Sequence, residues 1–259
     1  MITNRINQLF KNKKAQRLSV YFTAGYPHLE DTVSIIEALD KGGADMIEIG
    51  IPFSDPMADG KVIQNSSSIA LRNGMSLKKL FAQLKDIRQH TQMPLLLMGY
   101  LNPIMHFGFE KFCAACQECG IDGLIIPDLP VKVYLEQYKS LVEKYNLCLT
   151  MLITPETSDE RIRMIDEQTN GFIYMVSTAS TTGTQDSFSE STQQYFSHIN
   201  QMNLKNPRMI GFGISNPQTF QMANQYADGA IIGSLFIRLL GEKNTIEEAV
   251  EELVHRISL

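Results

Sequence analysis

Short runs rich in apolar and β-branched residues alternate along the chain with longer stretches in which apolar residues recur every three or four positions. The first pattern predicts strands, and the second predicts helices with one buried stripe. The strand candidates are Leu18–Thr23, Met46–Gly50, Leu95–Gly99, Gly123–Pro127, Cys148–Ile153, Phe172–Val176, Met209–Gly213 and Gly229–Ile232. Helical patterns fall between them over Leu29–Lys41, Leu77–Arg88, Val133–Tyr145, Asp159–Glu167 and Pro217–Gln225, and Ile246–Ile257 follows the last strand. This order is the signature of a parallel sheet with crossover helices. Eight strand–helix units in 259 residues point to the α/β class and a closed (β/α)8 TIM barrel, in preference to an open doubly wound sheet. A short leading helix, Ile6–Lys11, is a candidate plug for the barrel's lower end. No proline-rich or glycine/serine-rich linker divides the chain, so residues 1–259 are expected to form a single domain.

One segment breaks the pattern. Ser177–Ser191 reads STASTTGTQDSFSES, fifteen residues of which ten are Ser, Thr or Gly. It follows the sixth strand, and in a barrel the loops after strands line the catalytic face. A long polar loop in that place is expected to be a functional lid or a disordered tip.

Bulk properties narrow the function. The net charge of −5 offers no basic surface for nucleic acid or an anionic membrane. Apolar stretches are strand-sized and the opening MITNRINQLFKNKK lacks the apolar core of a secretory signal, so a cytoplasmic location is expected. Cys113, Cys116 and Cys119 have C-x2-C-x2-C spacing, but no Cys-Pro completes a ferredoxin run and Cys148 lies far away. On a helix ending at Gly120 they form one stripe, which reads as core packing. His28, His90, His106, His198 and His255 show no metal-ligand spacing, and no metal is expected.

The chemistry concentrates in ADMIEIGIPFSDPMADGKVIQ, Ala44–Gln64. Alternation sends Ile47, Ile49 and Ile51 one way, and Met46, Glu48 and Gly50 the other. The isoleucines suit the helix-packed layer, so Glu48 points into the barrel. Burial there disfavours its charged form and raises its pKa toward the range useful for general acid–base work. The following loop carries Asp55 and Asp59. Either could cap the next helix, or one could stabilise positive charge beside a buried acid. After strands seven and eight come GFGIS (Gly211–Ser215) and Gly233–Ser234. Glycines there admit an anion close to backbone N–H groups, and barrels often bind phosphate in these two loops. Tyr100 and Asn102 after strand three and Asp128 after strand four face the same end, as substrate, pocket or partner contacts.

GADMIEIGIPFSDPMADG, with YFTAGYP, MGYLNPIM, GLIIPDLP, GFGIS and DGAIIGS in order along the chain, resembles the tryptophan synthase alpha subunit family. The resemblance implies the barrel fold and a lyase that splits indole-3-glycerol phosphate into indole and glyceraldehyde-3-phosphate. It implies Glu48 as the acid–base carboxylate and Asp59 as the partner of the indole N–H. Phe22, Tyr100 and Leu129 look like pocket positions, and Tyr174 looks substrate-proximal. Thr182 and Gly183 fall in the lid, and Gly183, Gly213, Gly233 and Ser234 look like phosphate ligands. No cofactor is implied in this subunit. The implied partner is a beta subunit carrying pyridoxal phosphate, in an alpha2-beta2 heterotetramer. The chain departs from the family pattern at Lys61, where proline is usual, at Ser180, where glycine is usual, and at Val131-Lys132.

Overall fold

A computed structural model of the chain describes residues 4–11, 16–177 and 187–258. The apolar runs pair side by side as parallel strands, and the eighth returns to pair with the first, closing a barrel. The strands are β1 Arg17–Thr23, β2 Met46–Gly50, β3 Leu95–Met98, β4 Gly123–Ile125, β5 Cys148–Ile153, β6 Ile173–Val176, β7 Arg208–Gly211 and β8 Gly229–Ile232. β3, β4 and β7 stop one or two residues before the sequence pattern does. At β7 the reason is local, since Phe212 and Gly213 both have positive φ, 69° and 74°, and leave the ladder.

The helices clothe the outside. α1 Arg5–Lys11 precedes β1, and α2 Thr32–Lys41 follows it. α3 Lys61–Arg72 and α4 Leu77–Leu84 follow β2, α5 Leu101–Phe107 and α6 Phe109–Glu118 follow β3, and α7 Val131–Val133 and α8 Lys139–Lys144 follow β4. α7 and α8 are joined by a wider helical turn over Tyr134–Tyr138. α9 Asp159–Gln168, α10 Glu190–Gln201 and α11 Pro217–Tyr226 follow β5, β6 and β7, and α12 Ser234–Glu242 and α13 Ile246–Ile257 follow β8. α6 buries Cys113 and Cys116 completely and ends at Cys119 before Gly120, whose φ of 74° turns the chain. The cysteine stripe is core, and burial pushes the Cys113 thiol up to about 12. Among the described residues no helix is long and apolar enough to cross a membrane.

Register sets what faces the lumen. Ser19 pairs with Met46, Tyr21 with Glu48 and Thr23 with Gly50, while Glu48 and Gly50 pair onward with Leu96 and Met98. Neighbours across a parallel ladder point to the same side, so these residues share the inner face. The lumen is filled by pairing large with small. A methyl group on Gly50 would stand 2.1 Å from the Tyr21 hydroxyl oxygen, and one on Gly211 would stand 2.2 Å from that of Tyr174.

The lower end is closed by α1. Ile6 is fully buried, and its Cδ1 would lie 2.7 Å from a methyl at Gly123. Asn4 donates to the Asp122 carbonyl at 2.7 Å, and Asn7 donates to that of Asn170 at 2.7 Å. A repeated clasp ties the strand starts together. Asp45, Asp122 and Asp228, each just ahead of a strand, accept from the backbone N–H of Leu18, Leu95 and Arg208 on the preceding strand, at 2.9, 3.0 and 2.9 Å. Each bond satisfies a strand-end donor that the ladder leaves open.

Asp122 is the busiest clasp. It is buried and also accepts from Arg88 at 2.7 Å and Arg5 at 3.2 Å. Arg88 in turn donates to the carbonyls of Gly120 and Met93, both at 2.6 Å. Asp122→Ala strands a half-buried guanidinium and a buried N–H, and should destabilise the fold by about 3 kcal/mol. Urea unfolding measures this. A midpoint indistinguishable from wild type would mean that the clasp contributes nothing.

Candidate active site

β2 carries Glu48 into the lumen near the strand's C-terminal end, where it is fully buried. Its Oε1 accepts from the Ser19 hydroxyl at 2.9 Å, and Oε2 has no hydrogen-bond partner. Burial pushes its pKa up from 4.5 to about 8, with the Ser19 hydrogen bond pulling the other way. A carboxyl that is neutral near pH 7 and ionises slightly above it can both give and take a proton.

Of the two loop aspartates, Asp55 is exposed and bonded to Ser54, while Asp59 is buried. Neither caps α3, whose cap is Gly60. Asp59 is held from another loop. The Ala58 N–H donates to the Tyr100 hydroxyl oxygen at 2.9 Å, and that hydroxyl donates to Asp59 Oδ2 at 2.9 Å. Phe53 stacks on the Tyr100 ring at 5.2 Å between centroids. Burial lifts Asp59 to about 6, against the lowering effect of the Tyr100 bond. Asp59 is therefore mostly ionised at neutral pH while Glu48 is mostly protonated. One carboxyl is poised to move a proton and the other to meet positive charge.

Around this pair the inner wall is aromatic. Tyr21 and Tyr174 are buried, and burial raises both hydroxyls well above their ordinary range, with Glu48 and Asp59 adding to the rise. Behind Tyr21, the Thr23 hydroxyl pairs with that of Ser66 at 2.7 Å, and Ser66 donates to the Ile63 carbonyl at 2.8 Å. This buried chain seats α3, and so the end of the Asp59 loop, against β1.

Two pocket expectations need correction. Phe22 pairs with Ile49 and so lies on the outer, helix-packed side of β1. Alternation allows only one of two adjacent residues to face the lumen, and Ser19 and Glu48 settle the choice in favour of Tyr21. Leu129 lies beyond β4 and lines a cavity of about 70 Å³ with Tyr134, Met151 and Arg161. The β4 residue in register with inward Met98 is Ile125. Asp128 caps a helix, accepting from the Leu101 N–H at 2.9 Å. Neither Tyr21 nor Ser19 is singled out by sequence, and both share the inner-face parity of β1 with Arg17 and Thr23.

The phosphate candidates lie in neighbouring loops, because β7 and β8 pair directly. Phe212 and Gly213 turn the chain in consecutive left-handed conformations, and the Ser177 hydroxyl donates to the Phe212 carbonyl at 2.6 Å. Gly233 is the cap residue of α12 and supplies no side chain to it, leaving the first N–H groups from Ser234 onward without helical acceptors. The next helix back, α11, differs: Asn216 and Thr219 close its end as a capping box. Thr182, Gly183 and Ser180 lie outside the described residues. The polar segment's far end is described: Ser189 caps α10, so Glu190 and Ser191 are helical, and Phe188 is buried edge-on against Phe196.

Residues 7–258 match the family model described as tryptophan synthase alpha chain. Tryptophan synthase alpha chains of Phocaeicola vulgatus and Parabacteroides distasonis are 60% and 59% identical to this chain, each covering 98% of it and 99% of the relative. Among solved structures, Mycobacterium tuberculosis tryptophan synthase superposes with a TM-score of 0.87 at 30% identity, covering 99% of both chains. A mutant tryptophan synthase alpha-subunit from Pyrococcus furiosus gives 0.86 at 34% identity, covering 94% of this chain and 98% of that one.

The Glu48 geometry carries a stability consequence. Its pKa is higher folded, about 8, than unfolded, about 4.5, so the folded state holds this proton more tightly. The resulting stabilisation is full below pH 4.5 and lost as the pH rises through 8. Glu48→Gln keeps the shape and removes the ionisation. Its melting temperature relative to wild type should climb from pH 5 to about pH 8 and level off above that. Parallel curves would show that Glu48 ionises as easily in the barrel as in water.

Proposed function

The chain belongs to the tryptophan synthase alpha chain family, and from that premise we propose that Glu48 and Asp59 divide the catalytic work. The reaction is the lyase step of tryptophan biosynthesis, cleavage of indole-3-glycerol phosphate to indole and glyceraldehyde-3-phosphate. The subunit uses no cofactor of its own, and pyridoxal phosphate belongs to the beta subunit with which alpha chains pair.

In the proposed mechanism neutral Glu48 protonates the indole ring carbon that bears the glycerol phosphate chain. The ring nitrogen becomes cationic, and ionised Asp59 accepts its N–H. Glu48, now a carboxylate, takes the proton of the side-chain hydroxyl next to that ring carbon. The carbon–carbon bond breaks, its electron pair returns to the ring system, and the hydroxyl carbon becomes the aldehyde. Glu48 ends as it began, and no proton is gained or lost overall. The observation that carries this reading is the placement of two buried carboxyls, Glu48 bonded to the Ser19 hydroxyl and Asp59 gripped by Tyr100, with burial raising Glu48, to about 8, further than Asp59, to about 6.

Tyr21 and Tyr174 wall the indole pocket, and Tyr100 holds Asp59 in place. Gly213, Gly233 and Ser234 take the phosphate, with Thr182 and Gly183 supplied by the segment after β6. Residues 1–259 act as one barrel domain in the cytoplasm. The beta subunit docks on the catalytic face and receives the indole, in an alpha2-beta2 assembly. The loop after β2 suits that contact, since it presents Met57 at 89% exposure beside buried Asp59.

Glu48→Gln should cut indole release by about 10²–10⁴-fold while leaving the fold intact, since the amide cannot move a proton. The assay follows indole release from indole-3-glycerol phosphate with the beta subunit present. Near-normal turnover would remove Glu48 from the mechanism.

The phosphate assignment makes a two-sided prediction. Gly233→Asp places a carboxylate where α12 lacks a cap, but its Cβ would stand 3.3 Å from the Tyr21 ring, so without ligand the variant should fold with stability at or slightly below that of wild type. The same carboxylate should repel an anion. Inorganic phosphate should then raise the melting temperature of wild type and leave that of the variant unmoved. Equal protection of both would place the phosphate elsewhere.

A further inference from the structure

Ser19 is fully buried on the inner face of β1, in register with Met46 on β2 and Ile231 on β8. A hydroxyl among apolar neighbours is costly unless it finds a partner. It donates to Glu48 Oε1 at 2.9 Å. Glu48 Oε2 is buried and bonded to nothing. The ionisable groups that sense this carboxyl are Tyr21 from β1 and Tyr174 from β6, and both also sense Asp59 in the loop after β2. The Tyr21 hydroxyl lies nearest Thr23 Oγ1, at 3.5 Å. The two oxygens of Glu48 are thus unequal, one held from below and one free.

We propose that Ser19 is a positioning residue for the lyase reaction, pinning Glu48 Oε1 so that Oε2 alone gives and retakes the reacting proton. The proposal rests on the reading of Glu48 as the acid–base group. With Oε1 occupied as an acceptor, the proton of the neutral acid sits on Oε2. When that proton leaves for the ring carbon, the Ser19 bond becomes charge-assisted and strengthens. The hydroxyl therefore favours the ionised form and makes Glu48 a better acid than burial alone would allow. It also fixes the carboxyl plane, so the oxygen that delivers the proton is the one that collects the hydroxyl proton afterwards.

The test is the pH profile of kcat/KM for indole release from indole-3-glycerol phosphate, with the full chain and the beta subunit present. Wild type, Ser19→Ala, Ser19→Thr and Glu48→Gln are compared, with melting temperatures alongside. In Ser19→Ala the alkaline limb should move up by about one to two pH units, the effect expected for a lost hydrogen bond to a charged group. Its kcat near neutrality should fall about three- to tenfold, because a weaker acid transfers its proton more slowly, with KM little changed. Ser19→Thr keeps the oxygen and should restore the limb. Should Ser19→Ala not fold, Ser19→Cys keeps the volume with a weaker donor and should give a smaller shift in the same direction. An unmoved alkaline limb in the folded alanine or cysteine variant overturns the proposal, even if activity falls. An active Glu48→Gln would instead overturn the parent assignment.

Discussion

Closing the parallel sheet leaves every second strand residue no direction but the barrel axis, and the lumen has room for few large side chains. The chain meets this limit by setting rings against glycines on neighbouring strands, Tyr21 over Gly50 and Tyr174 over Gly211. The same rule forces Glu48 inward among these rings without a counter-ion, its only described bond coming from a neutral hydroxyl. Its raised pKa is a result of burial in the closed lumen, which takes the carboxyl out of water. The packing that the fold requires thus also raises the pKa of Glu48.

Much of this was legible in the chain. Alternation within Met46–Ile51 was enough to turn Glu48 inward, because three isoleucines on one side left no other arrangement. All eight strands were recognisable, their period being local. Four helices, α3, α5, α10 and α12, escaped notice because they begin inside segments dominated by Gly, Ser, Asn or Pro, which read as loop. Phe22 and Tyr21 could not be told apart from sequence, as both are aromatic and adjacent, and only the register with β2 decides between them. Tyr100 was read as pocket wall, yet its hydroxyl spans to Asp59 across 41 positions of sequence. The aspartate clasps beneath the strands were invisible for the same reason. Each looks like a turn residue until its partner strand lies beside it.

The two ends of the barrel use polar groups differently. At the lower end the strand starts are tied by fixed pairs: Asp45, Asp122 and Asp228 hold strand N–H groups, and Arg88 ties carbonyls to a carboxylate, although the side-chain amide of Asn170 stays unbonded there. At the upper end the key groups are left incomplete. Glu48 Oε2 has no partner, and the start of α12 has no cap from its own cap residue. An unsatisfied buried group costs about 1–3 kcal/mol, a cost that a rigid lower end can carry. Such vacancies suit a site whose missing partners arrive with the substrate.

The departure at Lys61 can be weighed in these terms. Lys61 is exposed at the first position of α3, where a proline would fit without losing a helical hydrogen bond. A proline there would stiffen the loop from its own end, and lysine gives that up, placing a cation at the positive end of the helix as well. Yet Asp59 does not depend on that end alone. Tyr100 grips both the Asp59 carboxylate and the Ala58 N–H from the loop after β3, with Phe53 stacked on its ring, and Gln64 donates to the Asp59 carbonyl at 2.8 Å from within α3. Contacts from two directions replace the covalent stiffness of one residue. The position of the Asp59 carboxylate is thus set chiefly by Tyr100 at the end of β3 and by the first turn of α3, so the loop can carry a lysine at this position.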